Sequence, residues 1–123
     1  MTRLDWRPIA LDELATIRAI VSAPGIADGE LLLRHLSGAL VRNAAPWILD
    51  VKVTTPDTSR ANTPDGPLPA RASVSEQGSY QGEIIVWLTA GRVSGLEFAW
   101  VSDEPPTRWP LPREMIIEVQ SGQ

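Results

Sequence analysis

Residues 83–101 constrain the fold more than any other stretch. Two runs rich in β-branched and aromatic side chains, EIIVWLT (83–89) and RVSGLEFAWV (92–101), flank Ala90-Gly91. That pattern predicts a β-hairpin. A two-residue type I′ loop needs positive φ at both central positions, which an alanine resists. A three-residue loop, Thr89-Ala90-Gly91, needs only Gly91 left-handed and is the expected turn. It pairs Leu88 with Arg92 and sets Glu83 opposite Glu97. One face of the ribbon then carries Ile84, Val86, Leu88, Leu96, Phe98 and Trp100. The other holds Glu83, Ile85, Trp87, Val93, Gly95 and Glu97. A one-residue slip would send the two glutamates to opposite faces.

A ribbon with one apolar face must bury it, and the preceding chain supplies the cover. Leu11, Leu14, Ile17 and Val21 follow helical spacing, with Asp12 and Glu13 in the first turn and Pro24-Gly25 as the stop. Asp28 is the expected N-cap of a second helix, Gly29 to Leu36, ended by Ser37-Gly38. The period then changes to two. Ala39–Arg42 and Ala70–Glu76 read as short strands, and Trp47–Thr54 alternates as a half-buried antiparallel strand. Residues 55–69 hold four prolines and almost no apolar side chains, which predicts a long loop. From Asp103 an extended tail with Pro105, Pro106, Pro110 and Pro112 follows, with Trp109 as its anchor or as an exposed contact. Met115–Val119 reads equally as a strand or a helical turn. The fold class expected is α+β: two N-terminal helices packed on an antiparallel sheet of four to five strands, with the hairpin at its centre.

Length and composition agree. At 123 residues the chain predicts one domain, at roughly 100–200 residues per domain. With 43% hydrophobic and 21% charged residues it is neither disordered nor fibrous. Cysteine is absent and there is one histidine, so thiol chemistry and zinc ribbons are excluded and no metal or other cofactor is expected. The net charge is −4 and the arginines are scattered, which argues against nucleic acid as a partner. The longest aliphatic and aromatic run, Ile84–Leu88, is far short of the roughly 20 residues of a membrane span. Acidic residues interrupt any apolar leader near the N-terminus, so the cytoplasm is the expected location.

The order of the pieces carries a resemblance. A helix ending at APG, a second of the form GELLLRHL, a segment WILDVKV and the block YQGEIIVWLTAGRVSGLEFAWVSDEPPTRWPLP follow one another. This resembles a group of small actinobacterial proteins of unknown function that share a hairpin of the type V-W-x-x-x-G-R-x-S-x-L-E and an acidic, proline-rich end. The likeness is concentrated in residues 81–112, with a weaker likeness over 24–53. It implies an α+β shape and carries over no activity and no catalytic residue.

Candidate functional residues come from the less apolar face and from the tryptophans. Glu83 and Glu97, if opposed, need an intervening cation such as Arg71, Arg92 or a ligand amine, and such a pair suits general acid chemistry. Both equally suit a solvated sheet face. His35, near the end of the second helix, reads as a helix C-terminal cation or a partly buried ring. Alternation puts Trp47 and Trp100 in the core. Trp87 shares the glutamates' face and reads as core or interface. No nucleophile elbow, phosphate loop or zinc signature is present. Two functions follow. The first is a non-catalytic protein-binding module whose partner is a basic protein, as for an immunity protein masking a toxin; a second copy of the chain is another candidate partner. The alternative is an enzyme or small-ligand binder on a sheet face lined by Glu83, Glu97, Asp50 and Trp87. Trp109 completes the candidate binding residues.

Overall fold

A computed structural model describes residues 5–120. Helix α1 spans Leu11–Val21, as the spacing predicts. Its start is fixed from outside the helix: Glu13 accepts the backbone N–H of Ala10 at 2.8 Å and the guanidinium of Arg7 at 3.0 and 2.6 Å. Glu13 is 4% exposed, so its charge is buried but paired. Helix α2 spans Gly29–Arg34, two residues shorter than expected. Asp28 occupies the N-cap position with φ 60° and makes no side-chain cap. Its carboxylate accepts the N–H of Asn62 at 3.2 Å instead, tying the proline-rich loop to the helix start.

Among the described residues eight strands form one sheet: β1 (Arg7–Pro8), β2 (Leu40–Ala45), β3 (Ile48–Lys52), β4 (Gly66–Pro67), β5 (Ala70–Glu76), β6 (Ser79–Thr89), β7 (Arg92–Trp100) and β8 (Met115–Val119). Their order is β1-β2-β3-β7-β6-β5-β8, with β4 also on β6, and every pairing is antiparallel. The sheet therefore exceeds the four to five strands expected. β1 and β4 are two residues long and form only because a neighbour offers a ladder, and Met115–Val119 resolves as a strand after a 3-10 turn at Pro112–Glu114.

The hairpin turn differs from expectation. Ala90 and Gly91 both have positive φ, 54° and 73°, and Thr89 pairs with Arg92, so the loop has two residues. The alanine is held left-handed by tertiary contacts: its N–H donates to Asp65 Oδ1 at 2.8 Å, and the Gly91 carbonyl accepts the N–H of Ala61 at 3.1 Å. A bulge then follows, because Leu88 pairs with Val93 but Trp87 pairs with Gly95. The extra residue, Ser94, restores the face assignment that a two-residue turn alone would invert. Beyond the bulge Ile84, Val86, Leu96 and Phe98 are buried as expected. Val93 is buried as well, on the core side of the bulge. Trp100, placed in the core by alternation, is 39% exposed, because it lies past the end of the packed layer, opposite Gly82.

One core results. Ile17, Ile20, Val21, Leu32 and Leu36 of the helical segment share a hydrophobic cluster with Val41, Leu49, Ala72, Ile84, Leu88 and Leu96 of the sheet. The tail closes it at one end. Trp109 is 7% exposed and sits edge-on to Trp47 at 5.3 Å and beside Phe98 at 6.2 Å.

An ion cluster fixes the tail next to this ring. Arg108 donates to both oxygens of Glu114 at 2.8 Å and to Glu76 at 3.0 Å. The Arg108 hydrogen bonds, with the Leu111 N–H second, hold the Glu114 carboxyl down from its ordinary 4.5 to about 2. A carboxyl depressed on folding stabilises the fold fully above its unfolded value, and that contribution is lost as pH falls through the folded one. Stability should therefore decline between pH values of about 4.5 and about 2, and Glu114→Gln should flatten this part of the decline in urea unfolding midpoints measured across that window.

His35 is a second departure. It caps the C-terminus of α2, as expected, but its ring is fully rather than partly buried. Neither ring nitrogen has a hydrogen-bond partner. A buried polar group without a partner costs about 1–3 kcal/mol. His35→Leu should accordingly raise stability by about 1 kcal/mol, read as a higher urea midpoint at unchanged slope. A loss of stability would show that the ring nitrogens are satisfied by internal water.

Candidate functional site

The sheet has two unlike faces. One packs on the helical segment; the other carries no helix among the described residues. On the bare face three of the sequence-selected side chains meet around Gly95. Asp50 is opposite Gly95 on β3, and Trp87 is opposite it on β6. Gly95 has no Cβ, and one built there would lie 3.4 Å from Trp87 Cδ1. The glycine thus makes the room in which the indole lies across the strand. From there Trp87 Nε1 donates to Glu97 Oε1 at 3.2 Å. Trp87, Asp50 and Glu97 are all half-buried.

Glu83 lies on the same face but outside this group. It is opposite Ala99, while Glu97 is opposite Ile85. The two glutamates are therefore not directly opposed as the three-residue turn required, and the coupled carboxylate pair does not form. Each carboxylate has its own partner. Arg71 bonds Glu83 at 2.9 Å, and the Tyr80 hydroxyl approaches the same oxygen at 3.4 Å. The attraction of Glu83 raises the Arg71 pKa. Arg42 holds Asp50 at 2.8 Å. Glu97 has only the indole, with no cation in salt-bridge distance among the described residues.

Trp109 belongs to neither group. It is buried at the tail anchor, the anchor rather than the exposed contact of its two readings. A residue missed from sequence is Trp6, which stands 4.7 Å from the Arg42 guanidinium and 5.4 Å from the Lys52 ammonium. Arg42 and Lys52 are on the bare face, so the indole extends its aromatic area. The sequence signal was only an isolated Trp between Asp5 and Arg7; its basic neighbours on β2 and β3 appear once β1 is placed. Ile48 at 36% exposure, Ile116 at 66% and Tyr80 at 47% complete a mixed apolar and charged surface.

Concavities are found away from this face. A cleft of about 570 Å³ is lined by Arg7, Asp12, Glu13, Asn43, Trp47 and Arg108 among others. Of its charged groups, Glu13 is paired with Arg7, Arg108 with Glu114 outside the cleft, and Asp12 accepts the Glu13 N–H. Among the described residues no group of three or more His, Asp or Glu side chains is placed to hold a metal ion. No described helix is long and apolar enough to cross a membrane. No protein-family model, curated protein or solved structure matches the chain.

Proposed function

We propose that this chain is a non-catalytic, cytoplasmic protein-binding module, related to the small actinobacterial proteins its hairpin resembles, and that its bare sheet face takes a basic protein partner. The observation that carries the reading is the Trp87–Glu97 pair: a tryptophan held flat on an uncovered sheet by a carboxylate that has no cation of its own. Aromatic side chains of this kind dominate interface energies, and an uncompensated carboxylate beside one favours a cationic residue on the partner. The net charge of −4 adds long-range attraction for a basic protein. A partner that is itself a toxin, masked by this face, is the specific version of the reading. The internal pairing of Asp50 and Glu83 weighs against general acid–base chemistry there.

The test is affinity capture from native lysate with wild-type protein, Trp87→Ala and Glu97→Lys in parallel. One stoichiometric basic protein should be recovered by wild type. Its affinity should fall by roughly 30-fold or more with Trp87→Ala, as for an interface hot spot, and comparably with Glu97→Lys, while the melting temperatures of both variants stay close to wild type. A steep loss of melting temperature in Trp87→Ala would assign the ring to the fold. Recovery of nothing, together with a thermal shift from a metabolite panel, would overturn the proposal in favour of a small ligand.

A further inference from the structure

The two edges of the sheet are built differently. At one, the outer strand β1 has two residues and includes Pro8, and β2 behind it is bulged between Asn43 and Ala45. Short strands, proline and bulges keep an edge from pairing with another chain. At the other edge β8 runs five residues, MIIEV, with no proline, lysine or arginine and an unbroken register along β5. Glu118 is the sole charge on it, and Arg71 stands opposite Glu118 on β5.

Which backbone groups of β8 face outward follows from one hydrogen bond. The Gln120 N–H donates to the Pro69 carbonyl at 2.9 Å, continuing the register in which Val119 is opposite Ala70. Residues 116, 118 and 120 therefore turn their N–H and C=O groups toward β5, and Met115, Ile117 and Val119 turn theirs away. The Met115 N–H is used by the Pro112 carbonyl. Among the described residues no backbone group pairs with the N–H of Ile117 or Val119.

We propose that β8 is a homodimerisation edge, on which a second copy adds its own β8 antiparallel about a two-fold axis at Ile117. Opposed residues of an antiparallel pair share a face, so this register keeps the helical faces of both copies on one side. It sets outward groups against outward groups along the whole strand. Ile117 exchanges N–H and C=O with Ile117 of the partner subunit, and each Val119 N–H meets the carbonyl of the other copy's Met115. On the helical side the row reads Met115 against Val119, Ile117 against Ile117 and Val119 against Met115. All of these are apolar, so the second copy extends the core layer. On the bare side Ile116 faces Glu118 of the partner subunit, twice. A second copy is the occupant because the strand complements itself in this register, in backbone and in side chains. The contact leaves the Trp87–Glu97 region uncovered, so its test is independent of the partner proposed above.

Sedimentation velocity over a concentration series provides that test. Wild type should pass from one copy to two as concentration rises. Ile116 is 66% exposed, so its replacement spares the monomer fold. Ile116→Glu opposes like charges at two places and should weaken the dimer about tenfold, whereas Ile116→Lys meets Glu118 of the partner subunit and should tighten it. Ile117→Pro removes an outward N–H while sparing the β5 ladder, and should leave only monomer. Wild type that stays monomeric throughout, or a dimer whose dissociation constant moves the same way with both Ile116 variants, would overturn the proposal.

Discussion

Replacing Trp109 by alanine should destabilise the protein by about 3–5 kcal/mol, a fall of roughly 10–20 °C in Tm for a chain of this size. The side chain is 7% exposed and contacts both Trp47 and Phe98, so truncation leaves a cavity bounded by two aromatic rings that are themselves pinned. Trp47 sits in the β2–β3 turn at φ 66°, and Phe98 donates its N–H to the Trp47 carbonyl at 2.9 Å. Neither can follow the missing indole without disturbing the sheet. The tail should also loosen, because its remaining ionic tie to the strands would be the Arg108–Glu76 pair. Urea unfolding gives the energy, and limited proteolysis in residues 101–108 gives the loosening. Trp109→Phe, which keeps a ring in place, should retain most of the stability. A loss below about 1 kcal/mol, the scale of an ordinary surface-to-boundary change, would mean that the tail is an accessory.

The other large effect is expected at Gly82, next to a bulge at Gln81 in the pairing of β6 with β5. Its φ is 134°, and a Cβ there would lie 2.3 Å from the Ala99 carbonyl oxygen and 2.8 Å from Trp100 Cα. Both neighbours are backbone, so relief requires opening the central β6–β7 ladder. Gly82→Ala should cost more than about 3 kcal/mol, combining dihedral strain with the clash. Gly78→Ala is the control. It has φ 81° with nothing within 4 Å of the added carbon, so only conformational strain of about 1–2 kcal/mol applies. Equal losses at the two positions would show that strain alone acts at Gly82. The comparison uses equilibrium unfolding, with soluble yield as the first indication.

These positions also mark how far the sequence could be read. Period-two alternation identified most of the hairpin residues that face the core, Val93 and Trp100 excepted, and helical spacing located α1, because both patterns are local and each is imposed by burial on one side. The turn could not be read correctly. An alanine at positive φ is locally unfavourable, and only Asp65 and Ala61, brought in by the proline-rich loop, make it tolerable. The bulge at Ser94 cancelled that error beyond it, so Ile84, Val86, Leu96 and Phe98 kept their face, while Val93, before the bulge, moved from the glutamate face into the core, and the Glu83–Glu97 opposition disappeared with the register. β1 and β4 have no periodicity to detect at two residues each. Trp109 was ambiguous because proline-rich chain carries no alternation, and its burial depends on where Trp47 and Phe98 stand. Of the candidate site, Trp87, Glu97 and Asp50 were legible as one face. That Gly95 makes the space between them was not.

The strand order has a mechanical consequence. β1 and β8, near the two ends of the chain, occupy opposite margins of the main strand path, and six steps at about 4.8 Å each separate them by roughly 29 Å. Tension applied through the termini therefore acts across the strands rather than along them. It loads the ladder one rung after another, as a zipper is loaded, instead of shearing many bonds together. Held between two anchors, the molecule should peel from its rims at low force, whatever its thermal stability.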